Sequence, residues 1–238
     1  MSLLLGLRRR IVRFTWNRLA RRNATYAIVT DPARRESGWS EEDFAESGRR
    51  DVVLLFERLG LIPLTFSPML GIDYGCGIGR CATWLEPHFH DFIAVDISRE
   101  MLERARARLR PSTRLVTTEE LDAAPVEGVT FLFSGLVLQH NPPPVAEAIV
   151  ERWCRMLAPE GVLVFQAAIA GGQRSYWWPL LLSVAGRNPW FMEMHGLEAA
   201  RVREILHAGG VELLAEHPDA DLEPGLQSRT FIGRKRTA

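Results

Sequence analysis

Short apolar runs alternate with amphipathic runs along the chain from about residue 69 onward. This alternation of strand-like and helix-like segments is typical of βαβ units and a parallel sheet. The predicted strands are Met69–Tyr74, Phe92–Asp96, Arg114–Val116, Val129–Phe133, Val162–Ala167, Val211–Glu216 and Arg229–Arg234. The last two lie close together in sequence, which predicts a terminal antiparallel hairpin. The pattern therefore predicts an α/β fold with a mostly parallel sheet and helices on both faces.

The helices between these strands have recognisable ends. Ser98 can accept the hydrogen bonds of a helix N-cap, and Pro111 marks the end of that helix. The proline run at 142–144 can open a second helix, because proline fits the first helical turn. A last helix is predicted over Leu197–Ala208 and is stopped by Gly209.

Two segments fall outside this alternation. Residues 1–66 are predicted as an N-terminal helical arm and cap, and residues 67–238 as the α/β domain with an insertion at 169–196. The large aromatic residues of the insertion are Trp177, Trp178, Trp190 and Phe191. They either wall a substrate pocket or pack the insertion against the core, and the sequence favours neither interpretation.

Composition excludes several classes of protein. The chain of 238 residues, 47% hydrophobic, can bury one large core and does not require a second domain. Its formal net charge is zero, which disfavours nucleic acid as a partner. Cys76, Cys81 and Cys154 lack disulfide or metal spacing, so we expect no metal site and a cytoplasmic location. The longest apolar stretch contains Pro179 and is shorter than the roughly 20 residues that a membrane span needs.

A glycine-rich turn follows the first predicted strand. Gly75, Gly77 and Gly79 permit positive φ and let a ligand approach the backbone, and the helix behind them offers free N–H groups. The spacing is not the Gly-x-Gly-x-x-Gly of dinucleotide-binding proteins, because position 80 is arginine. Asp73, at the end of the strand, suits a cationic or amine-bearing ligand better than a pyrophosphate.

A second acid follows the next strand. Phe92–Asp96 is an apolar strand that ends in Asp96 and is followed by the helix capped by Ser98. In a doubly wound sheet this position lies beside the glycine turn, where a carboxylate can accept hydrogen bonds from two ribose hydroxyls. The two signals together predict a nucleoside-binding site.

These residues resemble the first two motifs of class I S-adenosylmethionine-dependent methyltransferases. The matching residues are Asp73-x-Gly75-x-Gly77-x-Gly79-Arg80, then Val95-Asp96-Ile97-Ser98 and Met101-Leu102. Ser134–Asn141 and Leu157–Val164 resemble the family segments around the fourth and fifth strands. The resemblance covers roughly residues 44–234 and is greatest to bacterial small-molecule methyltransferases.

The resemblance implies a Rossmann-like sheet of seven strands in the order 3-2-1-4-5-7-6, with only strand 7 antiparallel. It also implies S-adenosylmethionine as cofactor and S-adenosylhomocysteine as product. Asp73, Gly75 and Gly77 would face the methionine part, Asp96 the ribose and Ile97 the adenine. Cys76, Met101 and Ser134 complete the expected cofactor site. The family often has an acid after the third strand that contacts the adenine amine, but Thr117-Thr118-Glu119-Glu120 leaves the identity of this contact open.

The predicted activity is methyl transfer to an oxygen or nitrogen of a small metabolite such as a sugar, a polyketide or another natural-product intermediate. His140, after the fourth strand, is the first candidate for a general base, and His195 is the second. Either histidine is otherwise an ordinary structural residue. The alternatives are a non-catalytic cofactor-binding subunit and, less favoured by the glycine spacing, a nicotinamide-dependent oxidoreductase.

The N-terminal arm concentrates positive charge. Nine arginines and a single acid, Asp31, lie between Met1 and Arg35. Its apolar residues on one helical face are Leu4, Leu7, Ile11 and Phe14. A basic amphipathic helix of this kind can lie on an anionic bilayer, although Arg8, Arg18 and Arg22 interrupt its apolar arc. Similar methyltransferases use an N-terminal helix as a cap over the cofactor, so we favour a cap over peripheral membrane contact.

Overall fold

A computed structural model describes residues 2–169, 190, 192–220 and 226–237. Its strands are β1 Leu70–Tyr74, β2 Asp91–Asp96, β3 Arg114–Thr117, β4 Val129–Ser134, β5 Leu157–Ile169, β6 Val211–Pro218 and β7 Gln227–Lys235. Its α-helices are α1 Ser2–Ile28, α2 Glu41–Gly60, α3 Ala82–Leu85, α4 Arg99–Ala105, α5 Thr118–Ala123, α6 Pro143–Met156 and α7 Ala199–Ala208. Short 3₁₀ helices cover Pro32–Arg34, Glu86–His88 and Leu138–His140.

The strands form one sheet in the order β3-β2-β1-β4-β5-β7-β6. Strands β1 to β5 pair in parallel, whereas β7 pairs antiparallel with both β5 and β6. The predicted order and the terminal antiparallel hairpin are confirmed. Strand order reverses between β1 and β4, and in open α/β sheets ligands bind at such a reversal, beyond the carboxyl ends of the strands.

Alternate residues of each strand enter different core layers. On β5, Leu163 and Phe165 pack with α6 and α7, whereas Val162 and Val164 pack with α2 and α3. Helix α2 contributes Val52, Leu55 and Leu59 to the second layer. The segment predicted as a preface to the domain therefore shares its core.

Local sequence signals explain most of the helix ends. The Ser98 hydroxyl accepts a hydrogen bond of 3.2 Å from the Met101 N–H, as an N-cap does. Pro143 opens α6, and Gly209 follows the last residue of α7. Strand β5 begins five residues earlier than predicted, at Leu157. The added residues include Pro159, a residue typical of turns, so the sequence predicts a turn there rather than a strand. In the structure Glu160 of this part has φ of 62°.

Helix α1 lies across the carboxyl edge of the sheet. Its residues Leu19, Ala20 and Ala24 are buried with Ile78, which follows the glycine turn, and with Met101 of α4. Asn23 has φ of −160° and ψ of 91°, so α1 consists of two helical pieces joined at this residue. The structure therefore places the arm over the predicted cofactor site.

Ion pairs between the arm and the domain explain the uneven charge of the chain. Guanidinium groups of α1 pair with four acids of the domain: Arg8 with Glu193 at 3.0 Å, Arg9 with Asp122 at 2.7 Å, Arg21 with Glu100 at 2.7 Å, and Arg13 with Glu119. The pairs of Arg9, Arg13 and Arg21 are largely exposed and contribute about 0.2–1 kcal/mol each, so they orient the arm more than they stabilise the fold. No helix in the described part of the chain is long and apolar enough to cross a membrane.

Most of the aromatic insertion, including Trp177, Trp178 and Phe191, lies outside the described residues. Its described end turns back onto the arm. Trp190 contacts Tyr26 edge to face with ring centroids 4.9 Å apart, and the Arg22 guanidinium lies 4.5 Å from its ring centroid. This end of the insertion therefore packs on α1.

Candidate functional site

The glycine turn after β1 has the conformation that its sequence predicts. Gly75, Gly77 and Gly79 have φ of 83°, 55° and 89°, a region that side-chain-bearing residues rarely adopt. The N–H groups of Gly75 and Cys76 both donate to the Val95 carbonyl, at 2.7 and 2.9 Å. These bonds join the turn to the end of β2.

Helix α2 passes directly over this turn at Gly48. A Cβ atom on residue 48 would lie 2.1 Å from the Arg80 carbonyl oxygen. The Arg80 side chain is buried and pairs with Asp51, one helical turn further along α2, at 2.6 Å. Gly48, Asp51 and Arg80 therefore fix the turn from behind.

Asp96 connects β2 to the turn. Its Oδ2 accepts a hydrogen bond of 2.9 Å from the Gly77 N–H, and its Oδ1 accepts one of 2.8 Å from the Ser98 N–H. Burial raises the pKa of this carboxyl to about 6, against the opposite effect of these backbone donors. Each carboxylate oxygen has a second lone pair, so Asp96 can still accept hydrogen bonds from a ligand.

Asp73 is more deeply buried, with 2% of its surface exposed. Burial raises the pKa of its carboxyl to about 7, and Asp96 raises it further, whereas the Arg80 guanidinium lowers it. Its Oδ2 is buried and has no hydrogen-bond partner. An ionised carboxylate with an unsatisfied oxygen favours a positively charged group nearby.

These groups lie along one cleft, which encloses about 990 Å³ including its open mouth. Helix α1 contributes Arg9, Val12, Trp16 and Ile28 to the wall of this cleft. The cleft continues past the end of β4 to Val145 and Ile149 of α6.

The structure brings most of the predicted site residues together. Those that line the cleft are Asp73, Gly75, Cys76, Gly77, Asp96, Ile97, Met101 and His140. Ser134 and His195 do not line it. The buried Ser134 hydroxyl donates instead to the Tyr74 carbonyl at 2.8 Å, so it links β4 to β1 rather than reaching a ligand.

Neither acid after β3 lines the cleft. Glu120 forms a capping box with Thr117 and pairs with Arg99 at 2.9 Å, and its pKa is lowered to about 2, chiefly by the Thr117 N–H. Glu119 pairs with Arg13. Thr118 is the residue of this segment that lines the cleft. A neutral threonine therefore stands where the family often has an acid.

His140 closes the far end of the cleft. Its Nδ1 lies 2.9 Å from the Glu193 carbonyl oxygen, and the Trp16 ring contacts it edge to face with centroids 5.0 Å apart. Burial lowers the pKa of its imidazole to about 4. His140 is therefore neutral near pH 7, which is the form in which an imidazole accepts a proton.

Sequence reasoning missed several residues of the cleft. Val12 and Trp16 belong to the arm, whose position over the cleft depends on contacts between residues far apart in sequence. Leu136 has φ of 59°, and its N–H donates to Gln166 Oε1 at 3.1 Å. A leucine carries no local signal for this left-handed conformation, which costs about 1–3 kcal/mol and is found mainly at functional sites.

Comparison with known proteins agrees with this geometry. Residues 72–161 match the family model of a methyltransferase domain. Over these residues the chain is similar in sequence to methyltransferase domains. The matched range begins within β1 and ends in β5, so it holds the glycine turn, Asp96 and His140 of this domain.

One sequence relative and two solved structures extend the comparison. Carboxy-S-adenosyl-L-methionine synthase of Trichlorobacter lovleyi is 31% identical over 107 residues, which are 41% of this chain and 44% of that protein. The chain thus spans less than half of the length of this relative. The N-methyltransferase NodS from Bradyrhizobium japonicum, solved with S-adenosyl-L-homocysteine, has a TM-score of 0.64 at 16% identity, covering 95% of this chain and 99% of NodS.

Magnesium protoporphyrin IX methyltransferase from Synechocystis, also solved with S-adenosyl-L-homocysteine, has a TM-score of 0.57 at 19% identity, covering 89% of this chain and 97% of that one. These structural likenesses show that the methyltransferase domain and the elements around it have the fold of such enzymes.

Proposed function

We propose that this protein is an S-adenosylmethionine-dependent methyltransferase that transfers a methyl group to an oxygen or nitrogen atom of a small apolar metabolite. The observation that carries the proposal is the single cleft in which the glycine turn, two buried carboxylates and His140 lie under the same helix, α1. We also propose a cytoplasmic location. Peripheral membrane contact through the arm stays a prediction.

The residues at the glycine turn fit the proposed cofactor. Asp96 has acceptor capacity for the ribose hydroxyls, Ile97 and Met101 offer apolar surface for the adenine, and Thr118 is the polar group nearest to β3. Asp73 provides the negative charge that suits the methionine amine or the sulfonium. The cofactor supplies a methyl group already activated by its sulfonium, so the protein mainly has to align the acceptor.

The far end of the cleft is suited to an apolar acceptor. Val12 and Trp16 of α1 line the cleft together with His140 and with Val145 and Ile149 of α6. Apolar walls with a few polar groups are typical of small-molecule sites. We propose that His140 accepts the proton when the acceptor is a hydroxyl.

Calorimetric titration with S-adenosylmethionine, S-adenosylhomocysteine and NAD tests the cofactor. We expect binding of the first two and none of NAD, whereas binding of NAD alone would support an oxidoreductase.

Methyl transfer from labelled cofactor to a panel of apolar hydroxyl and amine metabolites tests the activity. Tight cofactor binding without transfer to any of them would favour the non-catalytic alternative.

Asp96→Asn is expected to weaken S-adenosylmethionine binding about 10- to 150-fold, because a hydrogen bond to a charged acceptor contributes about 1.5–3 kcal/mol. Asparagine is the better substitution here. Its single side-chain oxygen can accept from one of the Gly77 and Ser98 N–H groups, whereas alanine would leave both buried without an acceptor. Titration calorimetry measures the change, and Asp91→Asn, at the exposed start of the same strand, is the control. Unchanged affinity in folded Asp96→Asn protein would show that the ribose lies elsewhere.

S-adenosylmethionine affinity is expected to fall about fivefold between pH 7 and pH 6. Burial raises the pKa of Asp73 to about 7, so in this range the carboxylate protonates and its attraction for a cation is lost. Calorimetry at both pH values measures the effect, and Asp73→Asn should remove most of it. S-adenosylhomocysteine identifies the cation, because it keeps the amine and lacks the sulfonium. A pH-independent affinity for the wild-type protein would contradict this role of Asp73.

A further inference from the structure

The C-terminal end of the insertion and the residue that follows it, residues 192–197, pack between the arm and the loop that carries His140. The His195 N–H donates to the Gln139 carbonyl at 2.7 Å, next to His140 in the chain. The Leu197 N–H donates to the Ala168 carbonyl at 2.8 Å, at the end of β5. These bonds hold residues 192–197 beside the cleft, although only His140 of the two histidines lines it.

Glu193 belongs to this segment and makes three polar contacts, with His140, Arg8 and His195. Its backbone carbonyl lies 2.9 Å from His140 Nδ1. Its carboxylate accepts from Arg8 of the arm at 3.0 Å through Oε1, and lies 2.8 Å from His195 Nε2 through Oε2. The Glu193 side chain is only 7% exposed, so both carboxylate contacts are largely shielded from water. Shielded charge-assisted contacts of this kind are stronger than exposed ones.

The carbonyl contact selects one tautomer of His140. A carbonyl oxygen can only accept, so Nδ1 must carry the proton in this hydrogen bond. The neutral ring then has its lone pair on Nε2, the nitrogen left to accept a proton from a substrate. A shift of the Glu193 backbone would release Nδ1 and allow the opposite tautomer, in which Nε2 carries the hydrogen and cannot act as a base.

We propose that Glu193 is a positioning residue that couples the closed position of the arm to the tautomer of His140. Arg8 and His195 hold the Glu193 side chain from two sides, and its backbone carbonyl in turn holds Nδ1–H. The inference rests on the proposed function, in which His140 is the base. The coupling of Arg8, through Glu193, to the His140 tautomer can be measured in the protein without any substrate.

Nitrogen-15 NMR of protein labelled at histidine distinguishes the two tautomers by the chemical shifts of Nδ1 and Nε2. His140→Gln identifies the His140 signals by their loss. We expect wild-type His140 to be the neutral Nδ1–H form at pH 7. Glu193→Gln keeps the shape of residue 193 and removes its charge, and Arg8→Met removes its partner on the arm. Each should produce a mixture in which at least about one tenth of His140 carries its proton on Nε2.

Arg21→Met is the matched control, because it removes an arm-to-domain ion pair of similar length, to Glu100, that does not involve Glu193. It should leave the His140 signals unchanged. Circular dichroism and thermal unfolding show whether each variant is folded. A pure Nδ1–H form in folded Glu193→Gln and Arg8→Met proteins overturns the coupling. Equal changes in Arg21→Met would also overturn it, since arm loosening in general would then be the cause. Because no cofactor or acceptor is present, this outcome is separate from failure of the proposed activity.

Discussion

Gly48→Ala is expected to lower the free energy of unfolding by about 3 kcal/mol or more, and to weaken cofactor binding in whatever folded protein remains. The new Cβ would lie 2.1 Å from the Arg80 carbonyl oxygen, a backbone atom that cannot rotate away. Overpacking a well-packed site costs about 1–3 kcal/mol, occasionally more, and relief here requires α2 or the glycine turn to move. Movement of the turn would displace the residues assigned to the cofactor.

Gly60→Ala is the matched control for this prediction. Gly60 is the last residue of the same helix, and a Cβ there would meet no atom within 4 Å. Urea unfolding followed by circular dichroism gives the free energy for each variant. We expect Gly60→Ala to stay within about 1 kcal/mol of wild type. A Gly48→Ala protein as stable as Gly60→Ala would show that α2 does not press on the turn.

His140→Ala is expected to lower the rate of methyl transfer to a hydroxyl acceptor by about 100-fold. A hydroxyl keeps its proton near pH 7, and a positioned base contributes roughly 10²–10⁴-fold to such a reaction. Burial lowers the pKa of His140 to about 4, so the base is unprotonated at neutral pH but a weak proton acceptor. This weakness places the expected effect at the lower end of that range. For an amine acceptor, which attacks in its neutral form, the loss should stay below about fivefold.

Single-turnover methylation by the wild-type and His140→Ala proteins measures this effect, with cofactor affinity titrated in parallel. His207→Ala, on the exposed side of α7, is the control. We expect cofactor affinity within about twofold of wild type in both variants. A near wild-type rate of hydroxyl methylation would remove His140 from the mechanism. In that case Glu193 would have no role in catalysis, although the NMR measurement would still test whether it sets the tautomer of His140.

The sheet was predictable because each strand is a local apolar run bounded by turn residues, and its order followed from the family resemblance. The glycine turn and Asp96 were predictable for a similar reason. Positive φ requires glycine at defined positions, and an acid at a strand end is visible in sequence. Ser134 shows the limit of this reasoning. The sequence does not say whether its hydroxyl faces the cleft or the neighbouring strand, and in the structure it bonds to Tyr74 of β1.

The sequence left two interpretations of α1, a cap over the cofactor and a helix on a membrane surface. The apolar and basic faces of α1 suit an anionic bilayer and an acidic protein surface equally well. The choice depends on partners such as Glu193, which follows Arg8 by 185 residues. His195, the second candidate base, contacts the Glu193 carboxylate, and no local pattern in the sequence indicates this contact. Contacts across such distances in sequence depend on the whole fold rather than on any local pattern.

The break in α1 at Asn23 divides the helix into two pieces with separate hydrogen bonding. Both pieces are buried against the domain, the first through Leu19 and Ala20 and the second through Ala24 and Ala27, and the first piece also carries Trp16 over the cleft. Asn23 Oδ1 accepts from the Tyr26 N–H at 3.1 Å and so caps the second piece independently of the first. A rotation about Asn23 would admit a ligand without unfolding either helical piece, but it would expose Leu19 and Ala20. Salt, which screens the ion pairs, would then speed ligand exchange more than it changes the stability of the sheet.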